Sequence, residues 1–212
     1  MKKTIAALLI LVPIFILAVL FITQYKNLAN WLYYKDSLPH HLDYICSFAG
    51  SPEREPYALE LMKKYPDSRW LVSTERKEFK LWVQQNGIDS NRTTIIGTCR
   101  STFEEIWNFR KIINSSGNDM FVDDRSGPVI GFVSSGYHMR RISLLFHLAR
   151  CKNFQTGFFL PAQGRHGELL ENAQNGWWKD KHLKSLVNSE LKKIAGNLLL
   201  HGLLLVLSSL FG

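Results

Sequence analysis

Residues 128–151 read PVIGFVSSGYHMRRISLLFHLARC. An apolar run rich in Val and Ile ends in two serines and a glycine, and the residues after them have helical rather than strand spacing. A strand that passes directly into a helix is half of a βαβ crossover, the unit from which parallel sheets are built. The same handover recurs along the chain. Candidate strands at 42–49 (LDYICSFA), 69–74 (RWLVST), 93–98 (TTIIGT), 128–135 (PVIGFVSS) and 156–161 (TGFFLP) alternate with helical stretches PYALELMKKYP, RKEFKLWVQQNG, STFEEIWNFRKIINSSG and GYHMRRISLLFHLARC. In the third of these, Phe103, Ile106, Trp107, Arg110 and Ile113 recur three and four residues apart, and Gly117 is a stop signal. The expected fold is α/β: a Rossmann-like open five-stranded parallel sheet with helices on both faces.

In such a sheet, ligands bind beyond the carboxyl ends of the strands, where strand order reverses and helix N-termini present unpaired N–H groups. After the first strand, GSPEREPYALEL places Gly50 and Ser51 for close backbone approach and Arg54 to reach inwards. Ser73 closes the second strand on the same edge. After the third, CRSTFEE sets Arg100 and Ser101 beside Thr102, a natural cap with Glu105 three residues on, which makes a capping box. After the fourth, Ser134 and Ser135 can cap a helix or donate to an anion, while His138 and Arg141 share one helix face. Taken singly, Arg54 is a surface charge, His138 a structural histidine, and Ser101, Thr102 and Glu105 a helix start. Taken together they form an anion site of dipole, hydroxyl, imidazole and guanidinium.

Composition sets the partners. With 212 residues, 46% of them hydrophobic, the chain can bury one substantial core. A net charge of +8 favours anionic partners, but no long basic run carries it, so nucleic acid is not expected. Three cysteines with no CxxC pair imply neither a zinc site nor a disulfide framework, and Cys46 reads as a small core residue. No metal and no cofactor is expected, and no GxGxxG supports a dinucleotide-dependent oxidoreductase.

Both ends are apolar. Ile5 to Ile22 is an uninterrupted apolar run behind Lys2 and Lys3, long enough to cross most of a bilayer core of about 30 Å. It reads as a retained anchor, because the competing signal peptide would need a shorter run and a better cleavage site than FITQYKNLANW. Residues 1–25 are then a cytoplasmic stub and transmembrane helix in the plasma (inner) membrane. Residues 26–41 form a juxtamembrane linker, and 42–196 an α/β domain on the extracytoplasmic side. The tail 197–212, NLLLHGLLLVLSSLFG, is interrupted by Asn197 and His201 and reads as a helix lying in the membrane interface or packed on a partner. Lys192 and Lys193 before it suit anionic headgroups.

The order of Arg54-Glu-Pro-Tyr-Ala58, LELMKKYP, WLVST, GID, RSTFEE and VSSGYHMRR resembles the YdcF-like family, which includes SanA and ElyC. The resemblance covers about residues 42–200, and GWWKDKHLKSLVNSELKKI is similar to that family's closing Trp-containing helix. It implies work in cell-envelope or surface-polysaccharide biogenesis on a phosphorylated ligand, of lipid-carrier or nucleotide type. Arg54, Arg100 and Arg141 would neutralise phosphate, and His138 and Glu104 would be the catalytic candidates. The chain departs from the family pattern where VSTERKEF lacks a Gly pair, where Ser101 and Glu105 replace Asn, and where IIGTCRST lacks an acidic residue. Those departures support anion binding better than any one reaction. They leave open a second function, a non-catalytic accessory subunit of a membrane complex that makes or exports polysaccharide.

Overall fold

A computed structural model of the chain describes residues 25–97, 99–116, 127–148, 156–162 and 176–211, without the side chains of 116, 156 and 201–211. Strand β1 (Tyr44–Ser47) pairs in parallel with β2 (Arg69–Val72) on one side and with β4 (Val129–Ser135) on the other. Strand β3 (Thr93–Ile95) extends the sheet beyond β2, and β5 (Thr156–Ala162) extends it beyond β4. The order is β3-β2-β1-β4-β5, parallel throughout, so the chain winds outward in one direction, then returns and winds in the other. The expected Rossmann-like sheet is present, and the winding reverses between β1 and β4.

Side-chain alternation along the strands builds two cores. Tyr44, Cys46, Ile130, Phe132 and Phe159 face helices α4 (Thr102–Ser116) and α5 (Met139–Leu148), where Ile106, Phe109, Ile142 and Phe146 meet them. Ile45, Trp70, Val72, Val133 and Leu160 face α2 (Arg54–Lys64) and α3 (Phe79–Gln85), packing on Ala58, Met62, Phe79 and Val83. This is the period of two that strands impose. Trp70 is fully buried and donates its indole N–H to Ser47 Oγ at 2.8 Å, so its one polar atom is satisfied inside the core.

A third cluster lies outside the sheet. Helix α1 (Leu28–Leu32) and the long helix α6 (Lys181–Phe211) bury Ala29, Leu32, Trp177, Leu183, Val187 and Ile194 around Tyr137. Residues 26–41, read from sequence as a linker, are thus packed on the domain. Trp177 donates to the Lys26 carbonyl at 2.9 Å, and Asp36 exchanges hydrogen bonds with Phe159 on the outer edge of β5. Tyr33 crosses so close to Gly136 that a Cβ there would lie 2.4 Å from its ring. Glycine between the serines and His138 is therefore a packing requirement.

The tail beginning at Asn197 continues α6 without a break. The anchor at 5–22, Cys151 and the central residues of the loop 118–127 lie outside the described residues, among which no helix is long and apolar enough to cross a membrane.

Candidate functional site

Beyond the carboxyl ends of β1 and β4 lies a cavity of about 460 Å³. It is lined by Phe48, Ala49, Gly50, Ser51, Pro52 and Arg54 from the first loop, Thr102 and Glu105 from α4, and Ser134, Tyr137, His138, Arg141 and Ile142 from the end of β4 and α5. This is the switch point where open parallel sheets take their ligands.

Arg54 begins α2 and is only 4% exposed. Its Nε and Nη2 donate to Ser135 Oγ at 3.2 and 3.1 Å, and its Nη1 donates to the carbonyls of Phe48, at 3.3 Å, and Ala49. Gly50 takes φ of +118°, a conformation open to glycine and costly for other residues, and so turns the loop around the guanidinium. Arg54 thus clasps the β1 loop to the end of β4 and brings its charge to the cavity wall. Burial lowers its pKa from the ordinary arginine value, yet the group stays a cation.

The α4 start differs from the expected capping box by one residue. Ser101 Oγ accepts from the Glu104 N–H at 3.2 Å, and Glu104 Oε2 accepts from the Arg100 N–H at 2.7 Å, so the pair that caps the helix is Ser101 with Glu104. Thr102 and Glu105 are released to face the cavity. Glu105 is 8% exposed, and its Oε1 accepts from the Ala49 N–H at 2.9 Å. Burial raises its pKa, against the pull of that hydrogen bond and of Arg54 and Arg141.

His138 and Arg141 share a face, as their spacing requires, but a third partner joins them. Glu190 of α6 is 1% exposed and lies 3.2 Å from His138 Nδ1 and 3.5 Å from Arg141 Nε, while its other oxygen accepts from Lys193 Nζ at 2.9 Å. Arg141 Nη2 is 2.6 Å from the same Nδ1. A guanidinium has no acceptor, so at this distance Nδ1 is the unprotonated nitrogen, and the ring proton sits on Nε2. Burial, the largest influence, lowers the His138 pKa to about 4 despite Glu190, so the imidazole is neutral at pH 7. Burial pushes Glu190 the other way but is outweighed by the neighbouring His138, Arg141 and Lys193, and its pKa falls to about 2.

The residues singled out from sequence divide accordingly. Gly50, Ser51, Arg54, Thr102, Ser134, His138 and Arg141 line the cavity. Ser135 lies behind it as the acceptor for Arg54. Arg100 and Ser101 are exposed, Glu104 is occupied with the helix cap, and Ser73 faces a second cavity, donating to the Gly97 carbonyl at 3.3 Å. Glu105 serves here as a cavity wall, and Glu190 is a member of the site that the sequence motifs do not include. Its signal is nonetheless present: Leu183, Val187, Glu190 and Ile194 fall at helical spacing, which puts one carboxylate in an otherwise apolar stripe. Among the described residues, no group of three or more His, Cys, Asp and Glu could hold a metal ion. Comparison with protein families, curated proteins and solved structures finds no match to this chain.

Proposed function

We propose that the protein is a membrane-anchored binder of a phosphorylated metabolite in cell-envelope or surface-polysaccharide biogenesis, with the ligand's phosphate held in the switch-point cavity. The ligand class is a lipid-carrier or nucleotide-type phosphate, and the domain stands on the extracytoplasmic side of the plasma membrane. One observation carries this reading. The buried guanidinium of Arg54, the largely buried one of Arg141, and a neutral imidazole with its proton on Nε2 border one cavity at the starts of α2 and α5. All are donors, and helix N-termini add dipoles of the same sign.

The buried carboxylate of Glu105 opposes an anion at the same wall. An incoming phosphate favours the protonated acid, so affinity falls as pH rises through the already raised pKa of Glu105. With Nδ1 accepting from Arg141, the neutral His138 can offer its Nε2–H to a phosphate oxygen as a hydrogen bond. A neutral imidazole with a pKa of about 4 has no readily transferable proton at pH 7, so His138 serves to hold the phosphate.

Isothermal titration of the full-length protein in detergent with inorganic phosphate tests the reading. Arg141→Ala should weaken binding about ten- to a hundredfold, the effect of losing a charge-assisted hydrogen bond of about 1.5–3 kcal/mol. No binding to the wild type at millimolar phosphate, or equal binding by the variant, would overturn it.

A further inference from the structure

We propose that the carboxyl-terminal part of α6 enters a lipid bilayer and, because the same helix carries Glu190, holds the cavity close above the membrane surface. The inference concerns the helix and not the ligand, so it survives if the cavity proves to bind no phosphate.

Helix α6 runs 31 residues from Lys181 to Phe211. Its first half is amphipathic: Leu183, Val187, Glu190 and Ile194 are buried, and Lys181, Lys184, Lys192 and Lys193 are exposed. At Leu198 the pattern stops. Leu198, Leu199 and Leu200 are 38%, 74% and 60% exposed, and three successive positions cover most of a helical turn. The sequence then continues HGLLLVLSSLF with no acidic, Lys or Arg residue. A helix apolar on all sides belongs in a core or in lipid, and this one leaves the core at residue 194.

Three observations select lipid. Trp31 is 40% exposed with the Arg140 guanidinium 5.2 Å from its ring, and it lines a shallow pocket with Leu191 near the end of the buried half of α6, an aromatic and basic pair of the kind that settles at a membrane–water interface. Lys192, exposed beside the Lys193 that pairs with Glu190, stands between one and two turns before the apolar stretch, placed for anionic headgroups. The uncharged run Ile5 to Ile22 ends three residues before Tyr25, whose ring packs 4.9 Å from that of Trp177 in the cluster that α6 itself builds. A second apolar stretch of the sequence therefore adjoins the cluster that α6 builds.

The geometry fixes the height. From Glu190 to Leu198 is about 12 Å along the axis at about 1.5 Å per residue. The stretch 198–211 spans about 20 Å, more than the depth of one leaflet of a hydrocarbon core of about 30 Å. Glu190 and the groups it holds, His138 and Arg141, then sit within reach of the headgroup layer.

The test uses the full chain in phosphatidylcholine–phosphatidylglycerol vesicles, with Cys99 and Cys151 changed to Ser and the buried Cys46 retained. Nitroxide labels are attached singly at Leu199→Cys, Leu200→Cys and Lys192→Cys, and their collision with oxygen, which concentrates in lipid, is compared with collision with a water-soluble nickel chelate. Oxygen should dominate severalfold at 199 and 200, and the chelate at 192. Dominance of the chelate at 199 and 200 would leave the helix in water and overturn the proposal. Poor access of both reagents there would also overturn it, since the leucines would then be covered by protein, either a second copy of the chain or its own 5–22 run.

Discussion

Two cavities of about 460 Å³ flank the loop from Phe48 to Pro52 and share it as a wall. On one side, β1, β4, α2, α4 and α5 bring Arg54, Glu105, His138 and Arg141 together, with Glu190 of α6 behind them. Arg141 Nε and Glu190 Oε2 are buried without a hydrogen-bond partner, facing each other at 3.5 Å. On the other side the polar groups satisfy one another. Thr74 Oγ1 donates to Glu55 Oε1 at 2.7 Å and accepts from the Arg76 N–H at 3.2 Å, while Arg76 Nη1 reaches Glu55 Oε2 at 3.3 Å. Equal volume thus conceals opposite chemistry. A local network that closes on itself makes no demand on a ligand, whereas buried charges gathered from distant parts of the chain with bonding capacity left over mark a site.

Removing one member of each network gives the sharpest contrast. Glu190→Ala strips the carboxylate from Arg141 and leaves a buried cation uncompensated, which should cost about 3–5 kcal/mol in urea unfolding. A cost below about 1 kcal/mol would mean that water or another group already compensates Arg141, and the distinction between the cavities would fail.

Acid sharpens the comparison from within the first cavity. His138 titrates near 4 when folded against an ordinary value of 6.5, so folding favours its neutral form. Its contribution to stability is intact above about 6.5 and is lost as pH falls towards 4; between pH 7.5 and pH 5 that is about 2 kcal/mol. Glu190 is depressed to about 2, so its own contribution disappears only below the ordinary value of 4.5, outside this window. Glu105, raised by burial, acts in the opposite sense, losing stability as pH rises, but does so with or without the imidazole. Unfolding measured at both pH values should therefore show about 2 kcal/mol less acid dependence in His138→Gln than in the wild type. Identical slopes would show that His138 is not the group held neutral by burial.

The sheet is legible in the sequence because strand alternation and helix periodicity are local signals. β1, β4 and β5 carry their apolar residues at the spacing that feeds two cores, and the reversal of winding is then a matter of topology. The three loops of the candidate site come with it, since a switch point gathers the same strand ends whatever the side chains are. The capping register is not legible in the same way. Ser101 and Thr102 are adjacent hydroxyl residues, each with an acid three positions on, and local chemistry cannot choose between Glu104 and Glu105. The choice is made by a tertiary contact, the Ala49 N–H that holds Glu105. Glu190 is a similar case, because a carboxylate in an apolar stripe announces burial but does not name the guanidinium and imidazole 49 and 52 residues upstream that receive it. Arg54 reads as inward-facing from sequence, yet two of its four hydrogen bonds go to its own loop, which Gly50 turns around it at φ of +118°, and two to Ser135.

The smallest expected effect lies in the second cavity. Glu55→Ala removes the acceptor of both Thr74 and Arg76, but the ion pair is near water, with the Arg76 side chain 46% exposed and that of Glu55 25%, and the buried Thr74 hydroxyl keeps its bond from the Arg76 N–H. Arg76 also retains the Trp82 ring, 4.7 Å from its guanidinium carbon, as a second place to rest. An ion pair so exposed contributes about 0.2–1 kcal/mol, and added salt screens it within about 10 Å. The variant should accordingly lose less than about 1 kcal/mol in urea unfolding, with the loss shrinking further at high salt. Its affinity for inorganic phosphate should match the wild type. A loss near that of Glu190→Ala, or a fall in phosphate affinity, would make the loop from Phe48 to Pro52 the spine of one continuous site rather than a wall between a site and a surface pocket.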